Sequence, residues 1–193
     1  PPPEKWGDMK TANVSFGQGI SITPLHLLNA FCALVNGGVL YKPRILKAVI
    51  RPDGERENFS PEVISRPLSP EVANMVREML VGVVENRDGT AYNRANVEGV
   101  KVGGKTGTAQ KAINGRYTSE VVASFVGFLP ANNPRLAILV IIDQPQINRW
   151  GATAAAPVFK QIAKRSLACL GFNPKTTPST LNTLQYVASQ RSP

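Results

Sequence analysis

At 193 residues and 42% apolar content, the chain is long enough for one well-packed domain plus a tail. Its longest apolar run, Leu136 to Ile142, has seven residues, well short of the roughly 20 that a membrane helix needs. Lys and Arg outnumber Asp and Glu by 22 to 13, a net +9, but the basic residues are scattered and not interleaved with stacking aromatics. That argues against a nucleic-acid partner, and a basic surface facing anionic lipid or an acidic polymer explains the charge equally cheaply.

The chain opens on Pro1-Pro2-Pro3-Glu4 rather than Met, with no basic segment leading into an apolar one. It therefore reads as a piece of something longer, with no signal peptide in view. Residues 1–22 are Gly-rich and are expected to be irregular. Thr23-Pro24 reads as an N-cap and first helical position, and Leu25, Leu28, Phe31 and Val35 give helical spacing over 24–36. Asn36-Gly37-Gly38 ends that helix. Strand-like residues follow over 39–50, then the turn Arg51-Pro52-Asp53-Gly54 and a short strand at Val63-Ile64. Ser69-Pro70-Glu71 starts a second helix, with Val72, Met75, Val76, Met79, Leu80 and Val83 as its stripe. Asp88-Gly89-Thr90-Ala91 turns the chain onward.

Strands are expected over 101–111, 117–129 and 135–143, joined by Asn114-Gly115 and by Pro130 to Pro134. Connections this short imply an antiparallel meander, because parallel strands need a crossover of a dozen residues or more. The run Leu136–Ile142 is apolar on both faces, so its strand is expected to be central. A third helix is expected over 153–170, with Val158, Phe159, Ile162, Ala163 and Leu167 inward. Residues 171–193 are polar and Pro-rich and are expected to form a flexible tail, in which Leu181, Leu184 and Val187 allow at most a transient turn. Cys32 and Cys169 read as small buried hydrophobes, and the single histidine, His26, as a surface or capping residue. Neither makes a metal or cofactor site, and none is expected.

The stretch Gly99 to Gln110, GVKVGGKTGTAQ, fits two chemistries. Gly99, Gly104, Lys105 and Thr106 match the phosphate loop G-x-x-x-x-G-K-[ST], with Asp143 ending an apolar strand as a would-be Mg²⁺ ligand. That reading needs a buried strand before the loop and a helix after it. Asn93 to Glu98 is polar, and Gly107 with Asn114-Gly115 leaves little room for a helix. The second reading is K-T-G-T at Lys105-Thr106-Gly107-Thr108, one of three signatures of serine transpeptidases and β-lactamases. On a sheet edge this motif makes chemical sense. A peptide can add to the edge by backbone hydrogen bonds, and Gly107 lets it approach. Lys105 supplies a cation, the Thr106 and Thr108 hydroxyls can hold a carboxylate, and the Thr108 N–H can serve an oxyanion hole.

Four blocks together resemble the C-terminal part of class B penicillin-binding proteins, the D,D-transpeptidases that cross-link peptidoglycan. They are Ser15-Phe16-Gly17-Gln18-Gly19-Ile20 running into Thr23-Pro24-Leu25; Lys105 to Gln110; Phe125 to Ala131; and Ala154 to Phe159. The likeness covers about residues 5–170 and is nearest the division-septum type. It implies an α+β fold, an antiparallel sheet packed with helices, forming the C-terminal half of a penicillin-binding-protein or serine β-lactamase-like transpeptidase domain over 1–170. It also implies a serine acyl-enzyme formed on D-Ala-D-Ala stem peptides or β-lactams, division-machinery membrane partners, and a parent anchored at the extracytoplasmic or periplasmic face of the membrane.

The family also needs S-x-x-K and S-x-N, and neither occurs among these 193 residues. A serine hydroxyl needs an adjacent base to attack, so this polypeptide alone is expected to be inactive, with the missing motifs lying upstream. Only the third motif carries over. By the resemblance, Lys105 and Thr108 support catalysis, and Thr106, Gly107 and Thr108 bind substrate. The alternative is a non-catalytic module that binds wall peptides or division partners.

Overall fold

The computed structural model describes residues 3–113 and 115–172; the expected tail lies outside the described residues from position 173 on. A 3₁₀ turn at Pro3–Lys5 leads into helix α1, Asp8–Ser15. The expectation of an irregular 1–22 is thus corrected. α1 has no buried residue, so it carries no apolar stripe by which to be read. Helix α2, Pro24–Val35, starts as expected, with the Thr23 hydroxyl accepting from the His26 N–H at 3.3 Å and lying 2.8 Å from His26 Nδ1. It buries Phe31, Ala33 and Val35, whereas Leu25 is exposed.

Two small antiparallel pairs follow. β1, Leu40–Tyr41, pairs with β4, Val63–Ser65, and β2, Ala48–Ile50, pairs with β3, Arg56–Asn58, across the Arg51–Gly54 turn. The fully exposed β3 was not anticipated, because its Arg-Glu-Asn sequence has no apolar alternation. Helix α3, Pro70–Glu85, is capped by Ser69, whose hydroxyl accepts from the Val72 N–H. The Glu71 carboxyl sits below its ordinary range, held first by a backbone hydrogen bond and then by Ser69. The expected stripe of α3 is corrected too. Met75 and Met79 are exposed, and the helix buries Ala73, Leu80 and Val84.

The main sheet is the expected meander: β5, Gly103–Ile113, β6, Arg116–Leu129, and β7, Leu136–Asp143, all antiparallel in the order β5-β6-β7. Among the described residues β6 is therefore central, and β7 flanks it rather than occupying the centre. Only Val140 of β7 is buried. No helix follows Lys105-Thr106, which lie inside a strand, so the phosphate loop lacks the helix N-terminus it requires. Asp143 pairs with the Lys111 ammonium at 3.0 Å across β6.

Helix α4, Gly151–Cys169, lies on one face of this sheet. Phe125 of β6 meets Phe159 of α4 edge-on, with ring centroids 4.8 Å apart, in a cluster that includes Ala155, Ala156, Ala163 and Leu167. Phe128 points to the opposite face and meets Phe31 of α2 at 6.0 Å, with Val35, Leu80 and Ala131 beside it. Val158 and Ile162, expected inward, are exposed on α4. The small residues at 155, 156 and 163 let the helix sit close to the sheet, so the buried band is narrow. Cys32 is half-buried, which pushes its thiol pKa up, while Cys169 is exposed rather than buried as expected; both are free.

Phe159→Ala is expected to destabilise this chain by about 3–5 kcal/mol, as for other buried aromatics. Val158→Ala, one position away, should cost less than about 1 kcal/mol. Urea unfolding of the two variants checks which face of α4 is buried.

Candidate functional site

Strand register decides how the K-T-G-T residues are presented. Lys105 stands opposite Val126 and Gly107 opposite Ser124, while Thr106 stands opposite Phe125 and Thr108 opposite Ala123. Directly opposed residues in an antiparallel pair share a face. Phe125 belongs to the α4 face and Phe128, two residues from Val126, to the α2 face. Thr106 and Thr108 are therefore on the α4 face, with Lys105 and Gly107 on the other. Residues expected to work side by side are divided by the pleat of one strand.

β5 ends the strand order, so its outer side is an edge among the described residues. Alternate backbone N–H and C=O groups along an edge point away from the neighbouring strand and are available to another chain. Lys105 is exposed, and its Nζ donates to the Thr106 carbonyl oxygen at 3.0 Å. The ammonium thus folds back along the strand rather than pairing with a carboxylate. Among the described residues Lys105 forms no ion pair.

The two threonines are half-buried, and each has a partner outside β5. Thr106 Oγ1 is 3.3 Å from Thr90 Oγ1. Thr108 Oγ1 accepts from the Gly151 N–H at 3.0 Å, at the first turn of α4. Trp150, the N-cap of α4, makes no side-chain cap, so Thr108 supplies that function from across the sheet. A hydroxyl that accepts one bond still has a proton to donate, and Thr108 remains able to serve a carboxylate.

Gly107 was expected to admit a substrate backbone. In the structure a Cβ there would meet Ser124 Oγ at 2.5 Å, so the missing side chain also makes room for Ser124. Gly151 is tighter still. A Cβ at that position would collide with the carbonyl oxygens of Ser124 and Gly107. The start of α4 therefore rests on the backbone of the K-T-G-T strand, a contact that only glycine permits. Gly151, Ser124 and Thr90 were not foreseen. Gly151 precedes the Ala154–Phe159 block without belonging to it, and Thr90 reads in sequence only as part of a turn. Among the described residues no group of three His, Cys, Asp or Glu could hold a metal ion, and no helix is long and apolar enough to cross a membrane.

Residues 1–164 match the family model described as the penicillin binding protein transpeptidase domain. The chain is 41% identical over 178 residues to stage V sporulation protein D of Bacillus subtilis, covering 90% of this chain and 27% of that protein. It is 37% identical over 183 residues to a probable peptidoglycan D,D-transpeptidase PenA of Neisseria flavescens, covering 94% of this chain and 43% of the relative. Among solved structures it is similar to penicillin-binding protein 3 of Mycobacterium tuberculosis complexed with ampicillin. The TM-score is 0.79 and the identity 35%, over 92% of this chain and 41% of that one. The transpeptidase domain of Burkholderia pseudomallei penicillin-binding protein 3 gives 0.71 and 31%, over 90% of this chain and 50% of that one. The chain thus spans less than half the length of the curated relatives it is compared with.

Thr108→Val removes the acceptor for the Gly151 N–H and should cost about 1 kcal/mol, the usual value of a helix cap. Thr108→Ser should keep nearly all of it. Gly151→Ala must push the helix or the strand aside, and should cost about 1–3 kcal/mol, as overpacking does. Denaturant unfolding of the three variants measures each.

Proposed function

Because the chain belongs to the penicillin-binding protein transpeptidase domain family, we propose that it carries the substrate-binding edge of a serine D,D-transpeptidase whose nucleophile lies outside these 193 residues. The observation that carries this reading is the position of Lys105-Thr106-Gly107-Thr108 on the outer strand of the sheet. A D-Ala-D-Ala stem peptide is extended and ends in a carboxylate, so it suits an edge that offers backbone hydrogen bonds and hydroxyl donors. β-Lactams carry a carboxylate in a comparable place.

In the proposed reaction an upstream serine attacks the penultimate carbonyl of the stem peptide. The bond to the terminal D-Ala nitrogen breaks, and the serine proton leaves with that amine. An amine of a neighbouring strand then attacks the ester and regenerates the serine. Lys105 provides positive charge near the nucleophile. Thr106 and Thr108 donate to the substrate carboxylate, and the Thr108 N–H joins the nucleophile's own N–H in the oxyanion hole. Gly107 keeps the approach open. The surrounding protein would work at the extracytoplasmic face of the membrane, with membrane proteins of the division machinery as partners.

The absence of S-x-x-K and S-x-N from the sequence favours a second reading if it extends to the whole protein. In that case the fold is a non-catalytic module that binds wall peptides. The upstream coding sequence separates the two.

Incubated with a fluorescent penicillin and run on a denaturing gel, this chain alone should show no covalent band; a stable band would refute an external nucleophile. In the full-length protein, Lys105→Ala should slow acylation about 100-fold or more, the scale of losing a preorganised electrostatic group. A wild-type rate would remove Lys105 from the reaction.

A further inference from the structure

We propose that Thr90 is a positioning residue of this site. Its hydroxyl donates to Thr106 Oγ1 and so turns the Thr106 proton toward the substrate carboxylate. The inference rests on the substrate-edge reading above. A carboxylate only accepts hydrogen bonds, and a threonine hydroxyl has a single proton. If Thr106 donates that proton to the carboxylate, its lone pairs are left to accept from a neighbour. Thr90 Oγ1, 3.3 Å away and 16 positions earlier in the chain, is the hydroxyl placed to supply that bond. A bond received from Thr90 also polarises the Thr106 O–H and strengthens the one it gives. The separation is longer than the usual 2.7–2.8 Å for two hydroxyls.

The backbone holds Thr90 at this point on purpose-built neighbours. Gly89 donates its N–H to the Asn86 carbonyl at 2.9 Å, and Ala91 donates to the Val83 carbonyl at 3.0 Å. A Cβ at Gly89 would collide with the carbonyl oxygens of Val83 and Gly82. Ala91 is fully buried, whereas Thr90 between them is exposed. The turn after α3 is therefore pinned on both sides of Thr90, whose hydroxyl reaches Thr106 of β5.

The test is made in the full-length protein with benzylpenicillin and with its methyl ester, which lacks the anionic carboxylate. Second-order acylation rates are measured for Thr90→Val, Thr90→Ala, Thr90→Ser and Thr106→Val. Thr90→Val and Thr90→Ala should slow the acid about five- to tenfold, the scale of one hydrogen bond, and should change the ester less than about twofold. Thr90→Ser should restore the acid rate. An equal loss for acid and ester would make Thr90 merely structural and overturn the proposal. So would an unchanged acid rate in both Thr90 variants while Thr106→Val slows it. If Thr106→Val also leaves the acid rate unchanged, the substrate-edge reading fails first, and the role of Thr90 fails with it.

Discussion

Everything in this molecule hangs on the two-residue alternation of β6. Ala123, Phe125 and Leu129 face α4, and Val126 and Phe128 face α2 and α3. Both cores are thus built from one strand, and both are apolar. Slipping β6 by one residue would send each set to the wrong helix, at the cost of burying Ser124 where Phe125 belongs. Pairing with β5 transmits the same constraint to the candidate site. Thr106 is on the α4 face because Phe125 is, and Lys105 is on the α2 face because Val126 is. The side-chain chemistry of the edge is set by hydrophobic packing one strand away.

The second dependence is the seam where α4 begins. Its first turn needs acceptors for free N–H groups, and its N-cap Trp150 offers its backbone carbonyl but no side-chain acceptor. Thr108 supplies one from β5, and Gly151 permits the approach. This ties an outer strand to the largest helix. An edge strand is otherwise free to fray, since half its backbone groups have no protein partner. Here the strand is anchored at Thr108 by α4, at Thr106 by Thr90, and further along by the Lys111–Asp143 pair. The edge is exposed, but three contacts tie it to the rest of the fold.

Much of this was legible in the sequence. Short connections and strand-rich residues gave the antiparallel meander, and Thr23-Pro24 and Ser69-Pro70 gave the starts of α2 and α3, because turn length and capping act locally. The misreadings share a cause. Met75, Met79, Val158 and Ile162 are apolar and helically spaced, yet exposed. Periodicity marks a face without saying which neighbour covers it, and the close packing at Ala73, Ala155 and Ala163 goes to the smaller side chains. The apolar run of β7 suggested a central strand, whereas order in a sheet is a long-range property. At the site, the motif named Lys105 to Thr108 but gave no hint of Thr90, Ser124 or Gly151. Those residues matter through contacts made across 16 to 43 positions of chain.

The division of K-T-G-T between two faces also limits where the chemistry can happen. A substrate lying over the α4 face would reach the hydroxyls of Thr106 and Thr108 but not the Lys105 stem. One lying over the α2 face would find Lys105 and Gly107 without the hydroxyls. Only a ligand placed beyond the edge, roughly in the plane of the sheet, meets both. The Lys105 ammonium already folds toward that line, since Nζ reaches the Thr106 carbonyl oxygen. On the substrate-edge proposal, a nucleophile supplied from elsewhere would then approach β5 from outside the strand order β5-β6-β7. A helix start or loop laid alongside the edge would satisfy this geometry, whereas an element stacked on either face would not.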